Sequence, residues 1–275
     1  MVDQSRLISH RFRGFSPYEN SLDGLRAALD FGVQKIEFDI RVTKCGTPLI
    51  YHDEHAKDAQ GQSHMICDIM ASDLSTLGGT FTHMPMASAL FAAIAAHPNK
   101  SCELLIDMKD AGFEDMLYAL VHANNLQDRT IWVSWLPETL YAIHDLDTSA
   151  RLCLSHWCQS PDARTRKIHK VFKAQNGQVP RPDRRYVHGE RSGWFVDGPI
   201  KGELREMLYS VCVPQNMITR KLAAQYGADN IRVSTFSYID WNHIKDHNER
   251  FNIDDYFIDN KEVFDKYQSD SDDSN

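Results

Sequence analysis

Two carboxylates and a guanidinium share one face of the stretch Lys35-Ile36-Glu37-Phe38-Asp39-Ile40-Arg41, because strand side chains alternate and Glu37, Asp39 and Arg41 have the same parity. Like charges side by side in a buried strand repel, and leaving them unpaired costs several kcal/mol, about the scale of a domain's whole net stability. A hard divalent cation such as Mg2+ or Ca2+ takes carboxylate oxygens and removes the conflict, so Glu37 and Asp39 read as half of a metal site. A polar outer face on an ordinary edge strand is the competing reading of this stretch. Other strand-like runs end on reactive side chains. His10 closes a run from Leu7 and His52 closes one from Pro48. In Glu103-Leu-Leu-Ile106-Asp107-Met108-Lys109 the period of two sets Asp107 and Lys109 on one face, with Ile106 and Met108 on the other. Three carboxylates can neutralise one divalent ion and leave positions open for substrate oxygens. Two histidines supply a base and an acid that titrate near neutral pH. Arg11 or Lys109 can offset charge developing on a phosphoryl group. Together these are the parts of a metal-assisted phosphodiester cleavage.

The chemistry requires elements that bring these strand ends together. Short β-like runs cover Leu7 to His10, Lys35 to Ile40, Pro48 to His52, Cys102 to Met108, Ile131 to Ser134, Arg151 to Leu154, Leu208 to Val213, Ile231 to Phe236 and Asp255 to Ile258. Amphipathic stretches lie between them at Ser21 to Phe31, Ala87 to Ala96, Phe113 to Asn124, Pro137 to Leu146 and Met217 to Tyr226. That alternation argues for an α/β fold with a parallel sheet. The link from Arg41 to Pro48 is too short for a parallel crossover and contains the turn-like Lys44-Cys45-Gly46, so Pro48 to His52 should return as an antiparallel hairpin strand. Setting that strand aside leaves the number that closes a TIM-type β/α barrel, whose active sites gather at the carboxyl ends of the strands. An open doubly wound sheet is the structural alternative.

The 275 residues suit one barrel domain over 1–267. Residues 53–86 lack periodicity and read as a short irregular excursion on the C-terminal face, 159–206 as a long basic insertion, and 268–275 as a disordered acidic tail. A net charge of -8 argues against nucleic acid as the ligand, since such binders carry a basic footprint. No segment approaches the ~20 apolar residues of a membrane helix, and the first residues lead into a strand without a signal-like apolar stretch, so a cytoplasmic protein is expected. The six cysteines form no C-x-x-C pair and are expected to be reduced thiols.

Ser9-His10-Arg11 followed by Gly14 and by Pro17-Tyr18-Glu19-Asn20-Ser21 resembles the His-Arg-Gly and Glu-Asn-Thr motifs that open the glycerophosphodiester phosphodiesterases. The block from Ile36 through Asp39 and Gly46 to His52-Asp53 is similar to the family's Glu-Leu-Asp-Val block with its His-Asp ending, and Asp107-Met108-Lys109 falls where the family has Glu-Ile-Lys. Weaker likenesses follow in order at Val133-Ser134-Trp135, Val233 to Phe236 and Asp255 to Asp259. The resemblance implies a hydrolase of lipid and glycerol metabolism that releases an alcohol and sn-glycerol 3-phosphate. It assigns Glu37, Asp39 and Asp107 to Mg2+ or Ca2+, His10 as base and His52 as acid, and Arg11 and Lys109 to the phosphate. Phe236 would face the glycerol side and Glu19 the rim of the metal site. The chain departs from the family pattern in the added Phe12-Arg13, in aspartate for glutamate at 107, and in phenylalanine for tryptophan at 236.

Two other functions fit parts of the same pattern. A phospholipase D-like lyase of the sphingomyelinase D type resembles the same barrel, uses an aspartate in its metal triad and forms a cyclic phosphate. A non-catalytic barrel could instead hold an acidic partner through the basic stretch from Arg164 to Arg191.

Overall fold

A computed structural model describes residues 2–155, 157–159, 195–197, 200, 202–215, 218–251 and 253–272. The strands are β1 (Leu7–His10), β2 (Lys35–Val42), β3 (Pro48–Ile50), β4 (His55–Lys57), β5 (Ser63–Met65), β6 (Glu103–Met108), β7 (Thr130–Ser134), β8 (Arg151–Ser155), β9 (Trp157–Gln159), β10 (Phe195–Asp197), β11 (Leu208–Pro214), β12 (Arg232–Tyr238) and β13 (Asp255–Ile258). Eight of them, β1, β2, β6, β7, β8, β11, β12 and β13, pair in parallel in that order, and β1 closes the ring between β13 and β2. This is the expected TIM-type barrel.

The hairpin forms as the short link dictates. β3 returns antiparallel with Ile40 opposite Ile50, Arg41 opposite Leu49 and Val42 opposite Pro48. It pairs with the last residues of β2, beyond the register Ile8–Lys35 to His10–Glu37 where β1 stops. The strand therefore ends at Ile50, and Tyr51 and His52 continue past it as the chain leaves the rim.

The period of two sorts each strand between two cores. Ile36, Phe38 and Ile40 face outward into the large cluster shared with helix residues such as Leu25, Leu90 and Phe91. The barrel interior is a smaller layer of Ile8, Leu105, Ile131, Val133, Cys153, Cys212 and Phe257. Beneath it Lys35 Nζ lies 2.7 Å from Asp255 and 3.4 Å from Glu103, while Arg232 pairs with the same Asp255 at 2.9 Å and Arg151 with the same Glu103. These paired charges close the bottom of the barrel.

Residues 53–86 are more ordered than their sequence suggests. β4 and β5 form a hairpin, the helix Leu74–Leu77 follows, and Ala56, Ile66, Ile69, Leu74, Phe81 and Met84 bury one another around Leu49. Gly79 has φ +58°, and a Cβ there would meet the Asp58 carbonyl carbon at 2.5 Å, so this close approach needs glycine. Most of the basic stretch 159–206 lies outside the described residues; β10 pairs with β9, and the helix Gly202–Met207 leads into β11. At the other end a helix runs Lys261–Asp272, so residues 268–272, expected as disordered tail, continue it. The Trp241 indole donates to Asp270 at 2.7 Å, and Lys245 pairs with the same carboxylate at 3.1 Å, which tie that turn down.

Candidate active site

The reactive residues reach one rim because they lie in the carboxyl-terminal halves of their strands, within β2, or in the one or two residues that follow a strand. His10 ends β1, Asp107 and Lys109 sit at the end of β6, and Asp259 follows β13. Arg11 and Phe12 turn with φ near +57° and +59°, and this bend sends the chain back over the mouth. The Arg11 amide donates to the Glu37 carbonyl at 3.0 Å and to its carboxylate at 3.3 Å. A cavity of about 180 Å3 opens there, lined by His10, Arg11, Glu37, His52, Asp107, Lys109 and Phe236 together with Trp135 and Phe257. Asp39 lies fully buried beneath it. Eight of the nine residues singled out in the sequence are thus brought to one place, and the ninth, Glu19, stands beside it, 3.2 Å from Arg11.

Oxygens of Glu37, Asp39 and Asp107 lie within 4.8 Å of one another. Two oxygens on opposite sides of an ion with bonds of about 2.4 Å stand about 4.8 Å apart, so the triad has the span of one hard cation. Two further observations fit. Oδ1 of Asp107 is buried with no hydrogen-bond partner. Burial, reinforced by Asp39 and then Asp107, pushes the Glu37 carboxyl well above its ordinary pKa, which marks excess negative charge in the protein alone. The donor set is all carboxylate, suited to Mg2+ or Ca2+ rather than to a soft metal.

Cations balance part of that charge. Lys109 Nζ lies 2.9 Å from Asp39 Oδ1 and also pairs with Asp107, under the face of Trp135 at 5.9 Å. Arg11 Nε lies 3.1 Å from Asp39 Oδ2, and Asn20 donates to that same oxygen at 2.9 Å. Burial alone would raise the Asp39 carboxyl, but Lys109 and then Arg11 outweigh it and hold it below the usual carboxylate range.

The two histidines differ in setting. His10 Nδ1 donates to Asp259 Oδ1 at 2.6 Å, and its Nε2 points at Glu37 Oε2, 3.7 Å away. Burial lowers the imidazole pKa despite the Asp259 hydrogen bond, so the ring stays neutral with the Nε2 lone pair toward the cavity. His52 is partly exposed; its Nδ1 lies 2.7 Å from Asp53, and its carbonyl accepts from Arg41 Nε at 3.0 Å. Arg41 also pairs with Asp110 at 2.8 Å. It thereby anchors the hairpin end to β6 and stands behind the site.

Asp259, Ser237, Arg13 and Asn20 were not singled out by sequence as parts of this site. Ser237 donates to Asp259 Oδ2 at 2.6 Å, and Arg13 pairs with that oxygen at 2.8 Å and with Glu19 at 2.6 Å. Arg13 is one of the two residues added after His10-Arg11. Asp259 carried a signal, since it ends the last strand as the other reactive groups end theirs.

The profile of the glycerophosphoryl diester phosphodiesterase family matches residues 8–176, more than half of the chain. "Glycerophosphodiester phosphodiesterase 1" of Mus musculus is 24% identical over 188 residues, which are 63% of this chain and 56% of that protein. The match therefore spans little more than half the length of this relative. An Oleispira antarctica phosphodiesterase, solved in complex with the product sn-glycerol-3-phosphate, superposes with a TM-score of 0.68 at 16% identity, covering 96% of each chain. A glycerophosphodiester phosphodiesterase from Parabacteroides distasonis superposes with a TM-score of 0.66 at 15% identity, over 97% of this chain and 98% of that one. Among the described residues no helix is long and apolar enough to cross a membrane.

Proposed function

The chain belongs to the glycerophosphoryl diester phosphodiesterase family, and on that footing we propose that it hydrolyses glycerophosphodiesters to an alcohol and sn-glycerol 3-phosphate. The observation that carries this reading is the convergence of a three-carboxylate cluster, two histidines, Arg11 and Lys109 on one cavity. Glu37, Asp39 and Asp107 would hold one Mg2+ or Ca2+, which when bound supplies charge to polarise a phosphoryl oxygen. Arg11 and Lys109 hold the remaining phosphate charge, and Phe236 packs on the glycerol side.

His10 serves as base because Asp259 fixes its hydrogen on Nδ1 and leaves Nε2 free to accept one. It takes the proton of the glycerol 2-hydroxyl. That oxygen attacks phosphorus, the bond to the alcohol breaks, and His52 gives the departing oxygen a proton. Water then opens the cyclic phosphate to the monoester, with the two histidines exchanging roles.

Phosphorus NMR of purified protein with glycerophosphocholine and Mg2+ or Ca2+ tests the reading. The diester signal should give way to sn-glycerol 3-phosphate, and a chelator should stop it. A cyclic phosphate that persists as the end product would point to a lyase instead, and an unchanged diester would reject both.

A further inference from the structure

A second cleft, of about 490 Å3, has a lining of its own that meets the lining of the catalytic cavity at two points. Tyr51 faces the cleft, while His52, next in the chain, lines the cavity. Across the mouth Arg11 lines the cavity, and its Nη1 lies 3.2 Å from the Glu19 carboxylate of the cleft. The cleft runs between the loop after β1 and the ordered excursion, and Ile50 and Met84 give it an apolar floor. At its side the rings of Tyr18 and His83 stack with centroids 3.5 Å apart and planes 14° from parallel, although Tyr18 is 49% exposed. Its carboxylate is already matched, because Glu19 pairs with both Arg11 and Arg13.

Size and position assign the two spaces different halves of one substrate. At about 180 Å3 the catalytic cavity is smaller than the roughly 300–1,000 Å3 typical of a whole small-molecule site. It has room for the phosphoglycerol half, where the charged side chains stand. The other half must lie beyond the group that protonates its oxygen, which is His52, and the cleft begins on the other side of Tyr51.

From this we infer that the cleft binds the alcohol half of the diester and selects uncharged alcohols with an apolar body. The inference rests on the hydrolase reading and on His52 as the acid. A cationic headgroup would meet Arg11 and Arg13 beside the Glu19 it sought, whereas an apolar ring covers the exposed face of Tyr18 and extends the Tyr18–His83 stack.

Three esters of sn-glycerol 3-phosphate, with methanol, choline and benzyl alcohol, test it. Methanol and benzyl alcohol are of similar acidity, so the comparison reads binding rather than leaving ability. The benzyl ester should show a KM about fivefold to tenfold below the methyl ester, the worth of one aromatic contact. Thr80→Trp, which fills the cleft, and Tyr18→Ala, which opens its wall, should each abolish that advantage. The expected loss is confined to the KM of the benzyl ester, and circular dichroism reads whether each variant keeps the parent fold. Equal KM for methyl and benzyl esters, unmoved by either variant, would overturn the subsite and leave the hydrolase standing. A choline ester bound best and weakened by both variants would overturn the preference for uncharged alcohols. Failure of all three esters to react would overturn the hydrolase reading and the subsite together.

Discussion

His10 Nδ1 stands 2.6 Å from Asp259 Oδ1, joining the ends of two strands that are neighbours in the barrel and 249 positions apart in the chain. The second oxygen of Asp259 is held by Ser237 and Arg13. Burial would raise this carboxyl, but the His10 hydrogen bond and the other partners keep it below the ordinary range, so it stays ionised. An ionised partner on Nδ1 leaves His10 only one nitrogen with which to accept a proton. That nitrogen is the one beside Glu37.

Asp259→Asn keeps the shape and removes the charge that fixes this tautomer. It should lower kcat by about 100-fold, the low end of what a positioned base contributes, with little change in KM. Steady-state kinetics on a soluble glycerophosphodiester provide the check, and an unaltered kcat would remove Asp259 from the mechanism.

Lys109 is buried between Asp39 and Asp107. Lys109→Met would leave the carboxylates of Glu37, Asp39 and Asp107 facing one another with one cation fewer. In chelator the variant should lose about 3–5 kcal/mol of unfolding free energy, as when one partner of a buried pair is deleted. Added divalent ion should restore more stability to the variant than to the parent chain. Denaturant unfolding with and without ion decides it; equal losses in both conditions would mean that the ion does not occupy the triad.

A pH dependence follows from Glu37, whose carboxyl is raised by burial and then by Asp39 and Asp107. A carboxyl raised in the fold is favoured there in its neutral form. Its contribution to stability is full below the unfolded value of about 4.3 and is lost as pH rises through the higher folded value. Ion binding needs the carboxylate and expels that proton, so stabilisation by Mg2+ or Ca2+ should grow with pH across the same window. Thermal unfolding at a series of pH values, with and without ion, should show this growth, and Glu37→Gln should flatten it. Ion-induced stabilisation that strengthens toward acid would contradict the assignment.

What the sequence revealed and what it hid have physical reasons. Glu37, Asp39 and Asp107 were readable because strand parity fixes a face, and β2 and β6 pair with Asp39 opposite Asp107. His52 was readable because the link after Arg41 is too short for anything but a hairpin. Asp259 was legible only as a carboxylate just past the last strand, since its partner His10 lies 249 positions away and nothing local ties the two together. The helix Trp241–Phe251 was missed because its face rests on Trp241, Ile244, His247 and Phe251 within a mostly polar run. The final helix was hidden by its acidic, serine-rich end, although Val263, Phe264 and Tyr267 fall at helical spacing against the core.

The claim on which the rest depends is that Glu37, Asp39 and Asp107 hold an ion that the reaction requires. Calorimetric titration of metal-free protein with Mg2+ or Ca2+, run alongside hydrolysis of glycerophosphocholine at the same ion concentrations, tests it most directly. One ion per chain should bind, activity should rise in step with occupancy, and Asp39→Asn should abolish both. Full hydrolysis in chelator, or ion binding unaffected by Asp39→Asn, would contradict it.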